Sequence, residues 1–523
     1  MATKEFEPNI IIYACNWCSY AGADLAGVSR LQYPPNVKIN RIMCTGRMNP
    51  TIILNTLALG IDGVLISGCH FGDCHYISGN EKCDEMVKVA KGLIDLLGIE
   101  PERLRFEQIS AAEGPKFAQT MTEFTDQIKK LGPNPLLKKE LATKIEDKLS
   151  LEDIIKKADA YHCYQCSQCV GSCPVSRNRK THNVRRNVRK AVYGMEDRLL
   201  NDLDIWSCLT CGLCTTKCPF KVDYPAFVQG IRQKAFSLGA SGTASHDGLF
   251  QSIVRVQQLA SSQNRLAWLT DDLKTEEKSD YLYFVGCLPY LEAAFCENGS
   301  KPLKIARDTI SILNKLGISP MLLDNERCCG HDHFWSGDMA SFKQLAKYNL
   351  ELIRASGAKK VVFSCPECFQ VFNKDYREHF GELGFEVMHI VELLSKKLSS
   401  NGLALKKNDR KVTFQDSCRL GRFAGLYEEP RNIIKAIPGT ELVEMVDNRS
   451  NSLCCGSTGW TNCFKCAKKT QIERLGEAKD TGAKTLITTC PKCQIHLSCA
   501  QEKDEEKIEI RDITNLIAEA MES

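Results

Sequence analysis

The sequence predicts an α/β and mainly-α multidomain chain. A doubly wound α/β domain comes first, a helical segment with two cysteine quartets next, and a duplicated α/β domain last. Three observations predict it. Short apolar runs recur, and many of them stop at or just before a cysteine, as buried parallel strands do at the ligand-binding rim of an open sheet. Helical periods fill the intervals between those runs. One spacing of cysteines returns about 130 residues later, which marks a duplication.

The 523 residues include 28 Cys, six before residue 84, eight within 163–218 and fourteen within 287–499. At 43% hydrophobic and 25% charged residues the chain is composed to bury a core. Lys and Arg number 68 against 64 Asp and Glu, a net charge of +4, which excludes a general nucleic-acid binder. No apolar run reaches the roughly 18 residues that span a bilayer. The nearest, Thr51–Gly68, is interrupted by Asn55 and Asp62. The opening MATKEFEPNI lacks the basic and apolar regions of a signal peptide, so a soluble, cytoplasmic chain is expected. Thiols stay reduced in that compartment, and clustered cysteines then point to metal.

In the first block, Asn9–Ala14 reads as a strand ending at Cys15, with Cys18 a turn later. Val37–Met43 is a strand ending at Cys44, and Gly63–Ser67 one that leads into Gly68-Cys69-His70 and then Cys74-His75. Pro50–Leu59 is an intervening helix. With Gly46-Arg47-Met48-Asn49-Pro50, the stretch Gly68–Tyr76 and Ile109–Gly114, residues 8–132 resemble the delta (iron–sulfur) subunit of methyl-viologen-reducing hydrogenase. That resemblance implies one 2Fe–2S cluster and a role as electron adaptor. Five thiols fit its pattern (Cys15, Cys18, Cys44, Cys69, Cys74) where four suffice, and which one is surplus stays open. A redox disulfide between Cys15 and Cys18 is the alternative. His70 and His75 are expected to hydrogen-bond sulfur or cap loops rather than bind metal.

The middle block carries the most specific motif. Cys163, Cys166, Cys169 and Cys173 follow C-x2-C-x2-C-x3-C with Pro174 next, and Cys208, Cys211, Cys214 and Cys218 repeat it with Pro219 next. This is the run of two-cluster ferredoxins, in which the fourth thiolate crosses to the other cluster. One 4Fe–4S cluster is therefore assigned Cys163, Cys166, Cys169 and Cys218, and the other Cys208, Cys211, Cys214 and Cys173. Zinc ribbons would need C-x2-C pairs instead. The basic run Arg177–Lys190 reads as a solvated helix face, with a docking patch for an acidic redox partner as the alternative.

In the last block Cys287, Cys328-Cys329-Gly330 and Cys365-Pro366-x-Cys368 recur as Cys418, Cys454-Cys455-Gly456 and Cys490-Pro491-x-Cys493. Strands are expected at Tyr281–Val285, Met321–Leu323 and Lys360–Ser364, then at Val412–Gln415, Glu441–Val446 and Thr485–Thr489. Helices are expected at Ala306–Leu316 and Met339–Ala355. Each copy is thus βαβαβ-like with its thiols past strand ends. This signature resembles the CCG domain, and in tandem it resembles the B subunit of heterodisulfide reductase. With the quartets ahead of it, residues ~150–500 resemble a fusion of that enzyme's C and B subunits. The resemblance implies that Cys287, Cys328, Cys329, Cys365 and Cys368 hold one noncubane 4Fe–4S cluster. It gives a second to Cys418, Cys454, Cys455, Cys490 and Cys493, with the two facing each other to reduce a disulfide. The first gap of copy one is long and the second gap of copy two is short, but neither departure removes a thiol. His331 and His333 are read like His70 and His75. Cys83, Cys296, Cys463, Cys466 and Cys499 remain unassigned, and Cys463-x2-Cys466 lies close to the second CC pair.

Domain boundaries are drawn at 1–135, 136–275, 276–400 and 401–523. Linkers are expected within Pro133–Ser150, Ser241–Asp280 and Ser399–Lys411. No G-x-G-x-x-G follows a strand and no Walker loop is present, so the chain is expected to lack its own flavin or NAD site. By resemblance, electrons come from a flavoprotein like the A subunit of heterodisulfide reductase. A hydrogenase, formate dehydrogenase or NADH-oxidising module lies upstream, in a flavin-bifurcating hetero-oligomer or dimer of heteromers. The substrate would be a small disulfide. The alternative is a relay that passes electrons to a quinone or another protein, since the CCG domain also occurs in glycolate and succinate oxidoreductases. One 2Fe–2S and four 4Fe–4S clusters amount to about 18 iron atoms per chain.

Overall fold

The computed structural model describes residues 6–136, 149–399, 404–456, 458–463 and 465–521. Parts of two expected linkers, 137–148 and 400–403, lie outside the described residues. The chain forms two compact units. One holds 6–136 together with 246–268, and the other holds 149–245 together with 269–521.

The first unit is built on four parallel strands: β1 (Ile10–Cys15), β2 (Val37–Ile42), β3 (Gly63–Gly68) and β4 (Leu104–Gln108), ordered β2-β1-β3-β4. β3 is an inner strand, and its Val64, Leu65 and Ile66 are fully buried, so both faces must be apolar. β2 lies at an edge and carries exposed Lys38, Asn40 and Arg41. β4 lies at the other edge, and its mixed LRFEQ sequence gives no apolar run from which to predict it. Asn49 caps the helix Pro50–Ala58 by accepting from the Ile52 amide at 3.0 Å, with Pro50 in the first turn. Arg103 is fully buried and donates to the carbonyls of Asp62, Gly132 and Pro133, each at 3.0 Å.

Residues 246–268 pack in this unit, so the segment 136–275 does not behave as one domain. The polar stretch Ser241–Asp280 conceals the helix Leu249–Leu259, which buries Phe250, Ile253, Val254, Val256 and Leu259. Its Ser252 hydroxyl donates to Asn55 at 3.2 Å, and Asn49 donates to Asp247 at 3.1 Å.

The second unit opens with helices around Ile154, Val184, Val188, Trp206, Tyr224, Phe227 and Ile231. Ser150 and Asp153 form a reciprocal capping box at the helix Leu151–Lys157. Two parallel sheets follow. The first contains β5 (Tyr281–Phe284), β6 (Lys360–Phe363) and β7 (Glu386–His389), ordered β5-β6-β7. The second contains β8 (Arg410–Phe414), β9 (Thr440–Leu442), β10 (Thr485–Thr488) and β11 (Glu509–Asp512), ordered β11-β10-β8-β9. The run Met321–Leu323 is not a full strand and makes one bridge, Leu282 to Met321. The closing strands β7 and β11 are an addition to the expected pattern, and their sequences EVMH and EIRD are short and at least half polar.

The two repeats meet in a symmetric way. Helix Pro302–Lys315 of the first packs on Ile513–Met521 of the second, and Glu428–Lys435 of the second packs on Ile390–Ser399 of the first. These are the same two helices of the repeat with roles exchanged, the signature of a pseudo-twofold.

One buried acid makes this interface sensitive to pH. Asp512 accepts from the Thr514 amide at 2.9 Å and hydroxyl at 2.8 Å, yet burial pushes its carboxyl up to about 7. An unfolded Asp titrates near ~3.9, so the folded chain holds an extra proton between about pH 4 and 7 and loses stability as pH rises through that window. From about pH 5.5 to 7 the loss is about 2 kcal/mol. Asp512→Asn is expected to flatten this part of the melting-temperature profile; parallel profiles for wild type and variant would contradict it.

Candidate metal centres

In the first unit the thiols gather at the carboxyl rim of the sheet. Cys15 ends β1, Cys18 precedes the helix Ser19–Val28, and Cys69 follows β3. Their sulfurs all lie within 4.8 Å of one another. The Cys18 thiol hydrogen-bonds Cys15 and draws it down to about 6, while Cys18 itself is pushed up. Cys44 and Cys74 form a second group. A Cβ on Gly79 would sit 2.4 Å from the Cys44 sulfur and 3.3 Å from that of Cys74, and one on Gly46 would strike Gly79 at 2.7 Å. Two glycines therefore keep room where these sulfurs converge. Cys83 stands apart, with burial pushing its thiol up to about 12.

The two histidine rings have other partners. His70 Nε2 lies 2.7 Å from Glu113, which also accepts from the Ser110 amide. His75 stacks on Trp17 with ring centroids 3.8 Å apart, while its backbone N–H hydrogen-bonds the Cys69 sulfur.

In the second unit the quartets line two recesses. One of about 460 Å³ is walled by Cys163, Cys166, Cys169 and Cys218, with Cys214 at its edge. The other, of about 330 Å³, is walled by Cys173, Cys208, Cys211 and Cys214. The fourth cysteine of each motif thus stands with the first three of the other. The loops are held in left-handed backbone at matching positions, Gln165 and Ser167 in the first motif and Thr210 and Gly212 in the second, costly at all but the glycine. This turns amides toward sulfur, as where Thr210 N–H donates to Cys208 at 3.3 Å. The first recess reaches the surface at exposed Cys166, beside exposed Tyr164 and Phe220. In the second, the inner one, Cys208, Cys211 and Cys214 are buried, and burial pushes Cys208 up to about 12.

Each repeat brings its five thiols into one connected group. In the first, Cys287 meets Cys328, Cys328 meets Cys329, Cys329 meets Cys368, and Cys368 meets Cys365. In the second, Cys418 meets Cys454, Cys454 meets Cys455, Cys455 meets Cys493, and Cys493 meets Cys490. Gly286, at φ +65°, leaves space 3.3 Å from the Cys368 sulfur. The inner recess adjoins the second group: Cys211 and Cys454 pack in one buried cluster, and the neighbouring Cys454 thiol draws Cys211 down to about 5. Soft, all-sulfur donor sets with glycine-made clearance suit iron–sulfur clusters.

Charged residues that spacing did not single out tie these groups together. Arg419 donates to His331 at 2.9 Å and to the Thr210 hydroxyl at 2.7 Å, and its guanidinium lies over the Trp335 ring. Arg422 donates to the Cys211 carbonyl at 2.6 Å and to that of Ser452 at 2.8 Å. Lys492 reaches across to Asp332 and, at 2.7 Å, to Glu367. His331 lies 3.4 Å from Glu367, and His333 pairs with Asp338 at 2.9 Å. Of the unassigned cysteines, Cys296 and Cys463 are exposed, Cys466 packs against the second repeat, and Cys499 accepts from Lys468 at 3.5 Å.

Comparison with known proteins agrees with this layout. The family model for the methyl-viologen-reducing hydrogenase delta subunit matches residues 10–132. That for a 4Fe-4S dicluster domain matches 159–222, and that for a cysteine-rich domain matches twice, at 281–373 and 412–498. The iron-sulfur D subunit of the F420-non-reducing hydrogenase of Archaeoglobus profundus is 53% identical over 131 residues, 25% of this chain and 96% of that protein. The A subunit of the ferredoxin:CoB-CoM heterodisulfide reductase of Methanosarcina mazei is 44% identical over 148 residues, 28% of this chain and 19% of that protein. The D subunit of the dihydromethanophenazine:CoB--CoM heterodisulfide reductase of Methanosarcina acetivorans is 31% identical over 393 residues, 69% of this chain. Because that likeness runs through 93% of the relative, the chain belongs to the family of heterodisulfide reductase D subunits.

Proposed function

We propose that this chain is the iron–sulfur catalytic subunit of a disulfide reductase, fed by a flavoprotein partner. One observation carries the reading: two repeats packed across a pseudo-twofold each gather a complete set of five thiols, their C-P-x-C loops joined by the Glu367–Lys492 pair, and Cys454 of the second set lies beside Cys211 of a ferredoxin-type recess. The reaction is RSSR′ + 2e⁻ + 2H⁺ → RSH + R′SH, with both electrons supplied by the partner.

Bound clusters supply one-electron chemistry and iron positions that take sulfur. The chain's own residues supply the order. Cys163, Cys166, Cys169 and Cys218 would hold a 4Fe–4S cluster at the surface, where a donor can dock. Cys173, Cys208, Cys211 and Cys214 would hold one inside, against the second repeat. The two five-cysteine groups would hold the noncubane clusters. Four of Cys15, Cys18, Cys44, Cys69 and Cys74 would hold a 2Fe–2S cluster that receives electrons from a hydrogenase, formate dehydrogenase or NADH-oxidising module. A flavoprotein partner resembling the A subunit of heterodisulfide reductase is supported by the 148 residues shared with one such protein. Among the described residues no helix is long and apolar enough to cross a membrane.

The test is an anaerobic assay of the reconstituted full chain, with reduced viologen as donor and the coenzyme M–coenzyme B heterodisulfide plus a panel of small disulfides as acceptors. Two viologens oxidised per disulfide consumed is the expected result. No turnover on any disulfide, with reduction of a quinone or protein acceptor, would replace the reading with that of a relay.

A further inference from the structure

The two C-P-x-C motifs differ at their third residue. It is Glu367 in the first repeat and Lys492 in the second. These are the same position in two copies of one domain, and their side chains meet at 2.7 Å with only 12% and 7% exposure. A position near a twofold axis faces its own counterpart. Identical charges there would bring two carboxylates or two ammonium groups together in a buried site, which is costly. Opposite charges let the axis close. The Lys492 ammonium also contacts Asp332 and lies 5.2 Å from the Trp460 ring centroid, while His331 flanks Glu367 at 3.4 Å.

The position of this pair in the chain gives it consequence. Glu367 stands between Cys365 and Cys368, and Lys492 between Cys490 and Cys493, so one contact fastens the two thiol groups to each other through adjacent backbone. Buried ion pairs add little net stability compared with apolar packing, but they tolerate few alternative geometries. The sulfurs of a disulfide are about 2 Å apart, so a site that engages both must hold its halves in close register.

We infer that the Glu367–Lys492 pair is a positioning device that sets the register of the two five-cysteine groups, so that both sulfurs of one disulfide are engaged together. This rests on the disulfide-reductase reading above. The test compares the reconstituted full chain carrying Glu367→Lys, Lys492→Glu or both. Each single reversal is expected to lower disulfide turnover about 100-fold, as a misplacement near 1 Å does. It should also abolish the magnetic coupling between the two centres in electron paramagnetic resonance. The double swap should restore the coupling and return turnover to within about tenfold of wild type. Iron content and melting temperature are read for every protein. A double swap with wild-type iron and melting temperature but no recovered coupling overturns the inference. Should the single reversals not fold, the neutral pair Glu367→Gln with Lys492→Met decides: wild-type coupling there overturns it, and lost coupling supports it. A wild type that shows coupling but reduces no disulfide defeats the functional reading alone.

Discussion

Cys211→Ser should lower reduction of the second repeat's centre by at least about 100-fold, because the outer-shell partners of a metal ligand already account for 10–100-fold effects and this change removes a proposed ligand. The side chain does two things at once. It walls the inner recess with Cys173, Cys208 and Cys214, and it packs beside Cys454 of the second repeat. Serine keeps the volume and a polar atom, so the fold should tolerate it. The loop is also held independently, since Arg422 grips the Cys211 carbonyl and Arg419 the Thr210 hydroxyl. Loss of function would then report on the sulfur itself. Iron content should fall by about one to four atoms per chain. The paramagnetic signal of the outer site, whose walls include Cys163, Cys166, Cys169 and Cys218, should persist. Unchanged iron and unchanged reduction of the second repeat would remove Cys211 from the path.

Much of this site is legible in the sequence because metal sites use few residue types at rigid spacing. An inner strand buried on both faces must be apolar, so β1, β3, β6, β8 and β10 show as short runs, as does the edge strand β5 with its buried Leu282, Tyr283 and Phe284, and the cysteines at their ends mark the rim. The missed strands fail that test for a physical reason. β4 and β11 lie at sheet edges, as does β7, and an edge strand can carry Arg105, Glu107, Glu386 or Glu509 without burying a charge on both sides. The helix Leu249–Leu259 is hidden for a different reason: its buried residues are interleaved with glutamines and flanked by a polar stretch, which reads as linker until Asn49 and Asn55 are seen beside it. The charged interface is the largest omission. Glu367 and Lys492 are visible in the two C-P-x-C motifs, but only the pseudo-twofold shows that they are each other's partner. Arg419 is less legible still, because its counterpart in the first repeat is Leu288 and nothing in the repeat foretells a cation.

That asymmetry sets the other large prediction. Cys365→Ser and Cys490→Ser change equivalent residues, and both should lower disulfide turnover by at least about 100-fold, each removing a thiol from one of the two groups that the proposed reaction engages together. Their effects on reduction should differ. The recess walled by Cys173, Cys208, Cys211 and Cys214 meets the second repeat, where Cys211 lies beside Cys454. On the proposed path the first repeat is reached through the second, because Cys365 bears electrostatically on Cys490 and Lys492 bridges to Glu367 and Asp332. Cys365→Ser should therefore erase the signal of the first repeat's centre and leave the second reducible by viologen at its normal rate. Cys490→Ser should erase the second signal and also slow reduction of the first. Rapid-freeze electron paramagnetic resonance on both variants separates these outcomes. Equal reduction of the surviving centre in the two variants would show that electrons enter the repeats in parallel. The Cys211–Cys454 contact would then be a packing contact between a buried loop and the second repeat.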